Sequence, residues 1–225
     1  MRKLVGTLVV LALLAGASLV VDSVLRNQAE RRIAAEVRDA IPGVTQTPDV
    51  TIEGFPFVTQ VLDDRLGSVR LSAAEATVEG LRLEDVVVRV HGVTTQPPYV
   101  ADTAEMTALA RPDDVSAVLG LDGMELEVRD AELLATAEVL GMPLDVVLAG
   151  RPEGREVVVD VTAFELGGFR VDADDLPGEI TSQVQGLRFV ISGLPEGMVL
   201  TEVTVVDDGV RLAAEGRDLR ISAAG

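Results

Sequence analysis

The chain has 225 residues, 48% of them hydrophobic but only 3% aromatic, with no cysteine, one histidine and a net charge of −18. That length suits one domain. The acidity argues against sequence-independent contact with phosphate backbones, and the scarcity of aromatics against base stacking, so no nucleic-acid partner is expected. Without cysteine there is no disulfide framework, thiolate metal site or thiol nucleophile. One histidine leaves little for zinc or for acid–base work near neutral pH, and no cofactor is expected.

The amino terminus carries Arg2 and Lys3 before an apolar run of 18 residues, 4–21. A basic start followed by an apolar stretch is the layout of an export signal. Ala15-Gly16-Ala17 resembles a small-residue cleavage site. Left uncleaved, the run is just long enough to span a bilayer core. Residues 1–21 therefore read as a signal peptide or membrane anchor, with 22–225 as one exported domain. Basic residues before the run and acidic ones after it place that domain outside the cytoplasmic membrane. The exported part holds 17 basic and 37 acidic residues, a net of −20.

Residues 22–40 lack Gly and Pro, are rich in Ala, Glu and Arg, and stop at Pro42-Gly43, which predicts a helix. Its row of Val21, Leu25, Ala29, Ile33, Val37 and Ile41 drifts about 40° per step on a 3.6-residue helix. A row that winds in this way suits a curved sheet wrapped around the helix.

From Val44 onward the period changes to two. Val69, Leu71 and Ala73 alternate with Arg70 and Ser72, Val86, Val88 and Val90 with Val87, Arg89 and His91, Met124, Leu126 and Val128 with Glu125, Glu127 and Arg129, and Val157, Val159 and Val161 with Val158 and Asp160. This is the pattern of strands with one buried and one wet face. Turn chemistry at Glu79-Gly80, Asp122-Gly123, Pro152-Glu153-Gly154 and Asp207-Asp208-Gly209 spaces nine to eleven short strands in antiparallel meanders. Short helices are expected over 112–119, opened by Pro and two Asp, and over 176–184.

The candidate chemistry is thin. His91 falls on the polar face of a strand, and no Gly-x-Ser-x-Gly elbow accompanies it. Four Asp-Asp doublets lack EF-hand spacing and suit turns and caps. Gly167-Gly168 has no following Lys-Ser/Thr and reads as turn or bulge glycines. The most distinctive segment is Ile52-Glu53-Gly54-Phe55-Pro56-Phe57-Val58-Thr59-Gln60, where two of the five Phe flank a Pro. Read from the residues, it is a strand edge with a buried aromatic anchor or one wall of an apolar ligand site.

That segment resembles a motif of the actinobacterial LmeA-type phospholipid-binding proteins of the cell envelope. The ending is similar too: Gly193-Leu194-Pro195-x-Gly197-Met198-x-Leu200-Thr201, then Val203-Thr204-Val205 and Asp208-Gly209-Val210. The resemblance covers residues 4–222. It implies an α+β fold like the tubular lipid-binding domains of the bactericidal/permeability-increasing type. In those a strongly twisted antiparallel sheet wraps a long amino-terminal helix and leaves an elongated apolar tunnel or groove.

The expectation is then an exported, non-enzymatic protein of the periplasm or cell envelope that holds phospholipid acyl chains. It would support envelope lipid transport or lipoglycan biosynthesis of the lipomannan type. Phe55 and Phe57 of the distinctive segment and the adjoining Val61, with Leu71, Val88 and Val90, are expected to line the lipid site. So are Leu126 and Phe189, together with the adaptable Met124, Met142 and Met198. Arg65, Arg70 and Arg82 are the nearest candidates for a headgroup. Contact with the cytoplasmic membrane falls to the amino-terminal segment, because so acidic a domain lacks a basic patch. The alternative is an envelope scaffold that binds a partner through its acidic surface over a filled core.

Overall fold

The computed structural model describes residues 2–40, 43–44, 46–121, 124–139, 141–175, 186–191 and 194–221, with side-chain surroundings from Leu19 onward. One helix, α1 (Arg2–Ala40), runs unbroken from the apolar segment through the Ala/Glu/Arg-rich stretch. Among the residues whose side-chain surroundings are described, from Leu19 onward, no helix is long and apolar enough to cross a membrane, and the reading of residues 4–21 rests on their sequence.

Next come β1 (Asp49–Glu53), the short α2 (Phe57–Leu62), β2 (Arg65–Val78), β3 (Leu81–Thr94), β4 (Tyr99–Ala110) and α3 (Pro112–Leu119). They are followed by β5 (Glu125–Arg129), β6 (Glu132–Val139), β7 (Met142–Glu153), β8 (Glu156–Leu166) and β9 (Phe169–Asp172). After one 3₁₀ turn come β10 (Leu187–Val190), β11 (Met198–Val206) and β12 (Gly209–Ile221). The helix expected over 176–184 lies outside the described residues. Several strands are longer than the short ones expected, β2 and β3 reaching 14 residues each.

Local chemistry explains the punctuation. Val78 pairs with Leu81 across Glu79 and Gly80, whose φ values are 51° and 87°. Two positive φ values make a two-residue turn whose twist matches its strands. Gly167 and Gly168, at 58° and 85°, do the same between β8 and β9, as the turn reading expected. α3 starts on Pro112, carries Asp113 and Asp114 in its first turn, and ends at Gly120. Those are the residues that suit each end of a helix.

Among the described residues all strand pairings are antiparallel. One sheet has the order β1-β2-β3-β4-β12-β11, the other β10-β8-β7-β6-β5 with β9 beside β8. The carboxy-terminal hairpin thus returns to the first sheet. The inner faces of the two sheets pack on one another and form the main core. Leu83, Val86, Ala104, Ala108 and Leu212 come from the first sheet, and Leu133, Leu148, Val159 and Val161 from the second. At Gly150 of β7 the sheets approach so closely that an added Cβ would lie 2.6 Å from Val203 Cγ1 of β11. The backbone N–H of Leu200 donates to the carbonyl of Gly154 at 2.7 Å and stitches β11 to the β7–β8 turn.

Two details differ from the sequence expectation. The alternation fails in β8, where Val157, Val158 and Val159 are all buried. Val158 lies between Arg151 and Arg188 on the neighbouring strands, and long aliphatic stems can shield such a residue on the wet face. The second difference concerns the helix. No described residue of α1 enters the main core. α1 instead packs Ala29 and Ile33 against a small cluster of Ile52, Phe57 and Leu66 at the β1 edge. Glu30 Oε1 accepts the Ile52 N–H at 2.8 Å and so covers part of an open sheet edge. The winding row therefore splits: Ala29 and Ile33 are packed, whereas Val21 and Leu25 face solvent. A sheet edge meets only one side of a helix, and the drift of the row carries its ends elsewhere.

Candidate lipid-binding cleft

Between the two sheets lies a cleft roofed by α3. Val115, Val118 and Leu119 of α3 face Leu81, Val210 and Leu212 of the first sheet, and Leu133, Gly150, Val157 and Val159 of the second. Ala110, Phe189, Ile191, Val203 and Val205 complete it. Every lining side chain is apolar, so the cleft offers no hydrogen-bonding or charged group and suits hydrocarbon alone. Its free volume is about 60 Å³. Small-molecule sites usually enclose roughly 300–1,000 Å³. The elongated tunnel that the resemblance implies is thus not open in this structure.

The expected lining residues fall in several places. Phe189 alone among them borders the cleft. Leu126 and Met198 are buried in the main core, with Val88 and Val90 half-buried against it. Leu71 is half-buried on β2. Phe57 anchors the small cluster under α1. Phe55, Val61, Met124 and Met142 are exposed. The residues missed had readable signals. Val157 and Val159, Val203 and Val205, and Val210 and Leu212 are period-two pairs. Val115, Val118 and Leu119 have the i, i+3, i+4 spacing of one helix face.

The Phe-Pro-Phe segment forms a corner against α1 instead. Asp22, buried at 4% exposure, accepts the Val58 N–H through Oδ1 at 2.9 Å and pairs with Arg26 at 3.3 Å. Burial pushes the Asp22 pKa up, but the N–H groups of Val58 and Phe57 and the charge of Arg26 outweigh it and hold the carboxyl below its usual range. Arg26 also donates to the Gly54 carbonyl at 2.8 Å. Gln60 accepts the Gly67 N–H at 2.8 Å and donates to the Glu53 carbonyl at 3.3 Å, which ties α2 to β1 and β2. An open recess of about 500 Å³ lies beside it, lined by Glu53, Phe55, Thr59, Gln60, Asp63, Arg65 and their neighbours.

The three candidate headgroup arginines are already paired. Arg65 bonds Asp102, Arg70 meets Glu53 at 3.4 Å, and Arg82 bonds Glu75. His91 sits on β3 with Ser68 and Thr103 as its cross-strand neighbours.

No curated protein and no solved structure matches the chain significantly. The family model described as LmeA-like phospholipid-binding does match, over residues 20–215. That span takes in the corner, both sheets, α3 and most of β12, so the resemblance first carried by the Phe-Pro-Phe and Leu-Pro segments extends over the whole domain: the chain belongs to the LmeA-like phospholipid-binding family.

Proposed function

We propose that this is an exported, non-enzymatic protein that takes phospholipid acyl chains into the cleft between its two sheets, at the outer face of the cytoplasmic membrane. The observation that carries the reading is the wholly apolar lining of that cleft in a member of a phospholipid-binding family. Each methylene moved from water into such a lining gains about 0.8 kcal/mol. With no polar anchor inside, the chains are held by length and shape and the headgroup stays outside.

Entry requires the cleft to widen, because about 60 Å³ is too small for two acyl chains. α3 is the element to move. None of its residues is fully buried, whereas β11 and the β7–β8 turn are joined by a backbone hydrogen bond. In this reading the protein supplies or carries lipid for envelope transport or lipoglycan synthesis.

Mass spectrometry of organic extracts from protein purified out of its native envelope is the test. Stoichiometric phospholipid is expected. The Val118→Asp variant, which puts a carboxylate on the cleft face of α3, should fold and lose that lipid. Lipid-free wild-type protein, prepared the same way and unable to take phospholipid from vesicles, would sink the proposal and favour an acidic scaffold.

A further inference from the structure

The apolar run at residues 4–21 ends at Asp22, the first charged residue after it. Eighteen helical residues rise about 27 Å, close to the roughly 30 Å of a bilayer's hydrocarbon core. If that run spans the membrane, Asp22 marks the level where hydrocarbon gives way to headgroups.

Asp22 is also what the 54–62 corner hangs from. Its Oδ1 takes the Val58 N–H at 2.9 Å, and one turn further on Arg26 holds the Gly54 carbonyl at 2.8 Å. Four residues of helix separate these two ties, about 6 Å of rise. The corner is thus fixed to the first turn beyond the apolar run and has no freedom to sit far from that level.

The surface it shows there is apolar. Phe55 is 62% exposed and Leu62 78%, with Val61 beside it. Phe57 already supplies the buried anchor, so packing does not account for Phe55. On α1 next to it Leu19, Val20, Val21, Val24 and Leu25 are exposed as well. Behind this surface, polar atoms lack partners. Arg26 Nε, Ser68 Oγ and Arg70 Nε are buried without a hydrogen bond among the described residues. All three adjoin Glu53-Gly54: Arg26 bonds Gly54, Arg70 pairs with Glu53, and Ser68 is the cross-strand partner of Glu53. The exposed apolar rim suits the hydrocarbon edge of a membrane interface, while the three buried polar atoms lie beneath it, closed to water. A second copy of the chain would bring the Asp63-Asp64 rims of two acidic molecules together, which a bilayer does not.

We propose that the 54–62 corner is a second membrane contact, its Phe55, Val61 and Leu62 inserted into the interfacial layer of the bilayer that residues 4–21 span. This rests on the membrane reading of those residues. The contact is hydrophobic in origin. It fixes the tilt of the domain over the membrane, which a single helix leaves free.

The chain has no cysteine, so single-cysteine reporters need no background removal. The full chain, reconstituted in phosphatidylcholine vesicles, carries an environment-sensitive fluorophore at Leu62→Cys, at Leu13→Cys within the apolar run, or at Asp207→Cys in the β11–β12 turn. Doxyl-labelled lipid is the quencher. The Leu62 and Leu13 labels should both be blue-shifted and quenched, and the Asp207 label neither. Phe55→Ser in the Leu62→Cys background should reduce quenching at position 62, and in the Leu13→Cys background it should leave quenching at position 13 unchanged. A water-exposed label at 62 with a quenched label at 13 overturns the second contact and spares the anchor. An unquenched label at 13 overturns both.

Discussion

Gly150 offers the sharpest test of how the sheets meet. It lies on β7, borders the cleft and has no side chain, and an added Cβ would come 2.6 Å from Val203 Cγ1 and 3.6 Å from Val157 Cγ1. Real Cβ atoms do not approach carbon as closely as the first of these, and valine has little rotamer freedom with which to yield. Gly150→Ala should therefore act as overpacking, at about 1–3 kcal/mol. For a chain of this size each kcal/mol lowers the melting temperature by roughly 2–4 °C. Removing Cγ1 by Val203→Ala should relieve the clash. Gly150→Ala should then cost less in the Val203→Ala background, with a coupling of about 1 kcal/mol. Urea midpoints of the four proteins in this cycle measure it. Additive effects, or an unchanged wild-type midpoint for Gly150→Ala, would mean that β7 and β11 do not meet there. The packing of the two sheets would then need revision.

Leu134, at 2% exposure, packs with Val147 and Ala163 on the outer face of the second sheet; Leu134→Ala should cost about 2–5 kcal/mol in denaturant titration. Gly54 holds φ at +94°, and an added Cβ would sit 3.0 Å from Gln60 Nε2, so Gly54→Ala should destabilise by about 1–3 kcal/mol and speed hydrogen exchange in α2 before the sheets. The Arg170 guanidinium holds the Glu132 carboxyl below its usual range; the Thr136 hydroxyl, with Arg129, does the same to Asp145. Their pKa values rise on unfolding, so the unfolded state binds more protons in acid. Their stabilisation is complete above the unfolded carboxyl range, about pH 4, and is lost as pH falls through the lower folded values. Glu132→Gln should flatten that acid limb of the urea midpoint, and an unchanged limb would show that the Arg170 pairing does not contribute.

Much of the domain was legible because period and turn chemistry are local properties. The helix over 112–119 was readable from Pro112, Asp113 and Asp114, and the Gly167-Gly168 turn from its dipeptide. The family was legible from the Phe-Pro-Phe and Leu-Pro segments. The lining of the cleft was not. Val157 and Val159 were recognised as strand residues, but an alternating strand does not say what its buried face meets. The Phe-Pro-Phe segment drew the site towards itself by its composition, whereas its position is set by Asp22 and Arg26, about thirty residues upstream.

By itself, then, the sequence determined an acidic aliphatic domain behind an apolar amino terminus, several of its strands and turns, and its family, since each depends on residue type and short spacing. The tertiary structure alone decided the sheet partners. β12 returns to β4 across about a hundred residues, and the two sheets close on each other instead of around α1. The physical reason is that strand pairing and face-to-face packing are satisfied by many partners of the same alternating pattern. The choice among them rests on cumulative burial, close approaches such as Gly150 to Val203, and edge ties such as Glu30 to Ile52.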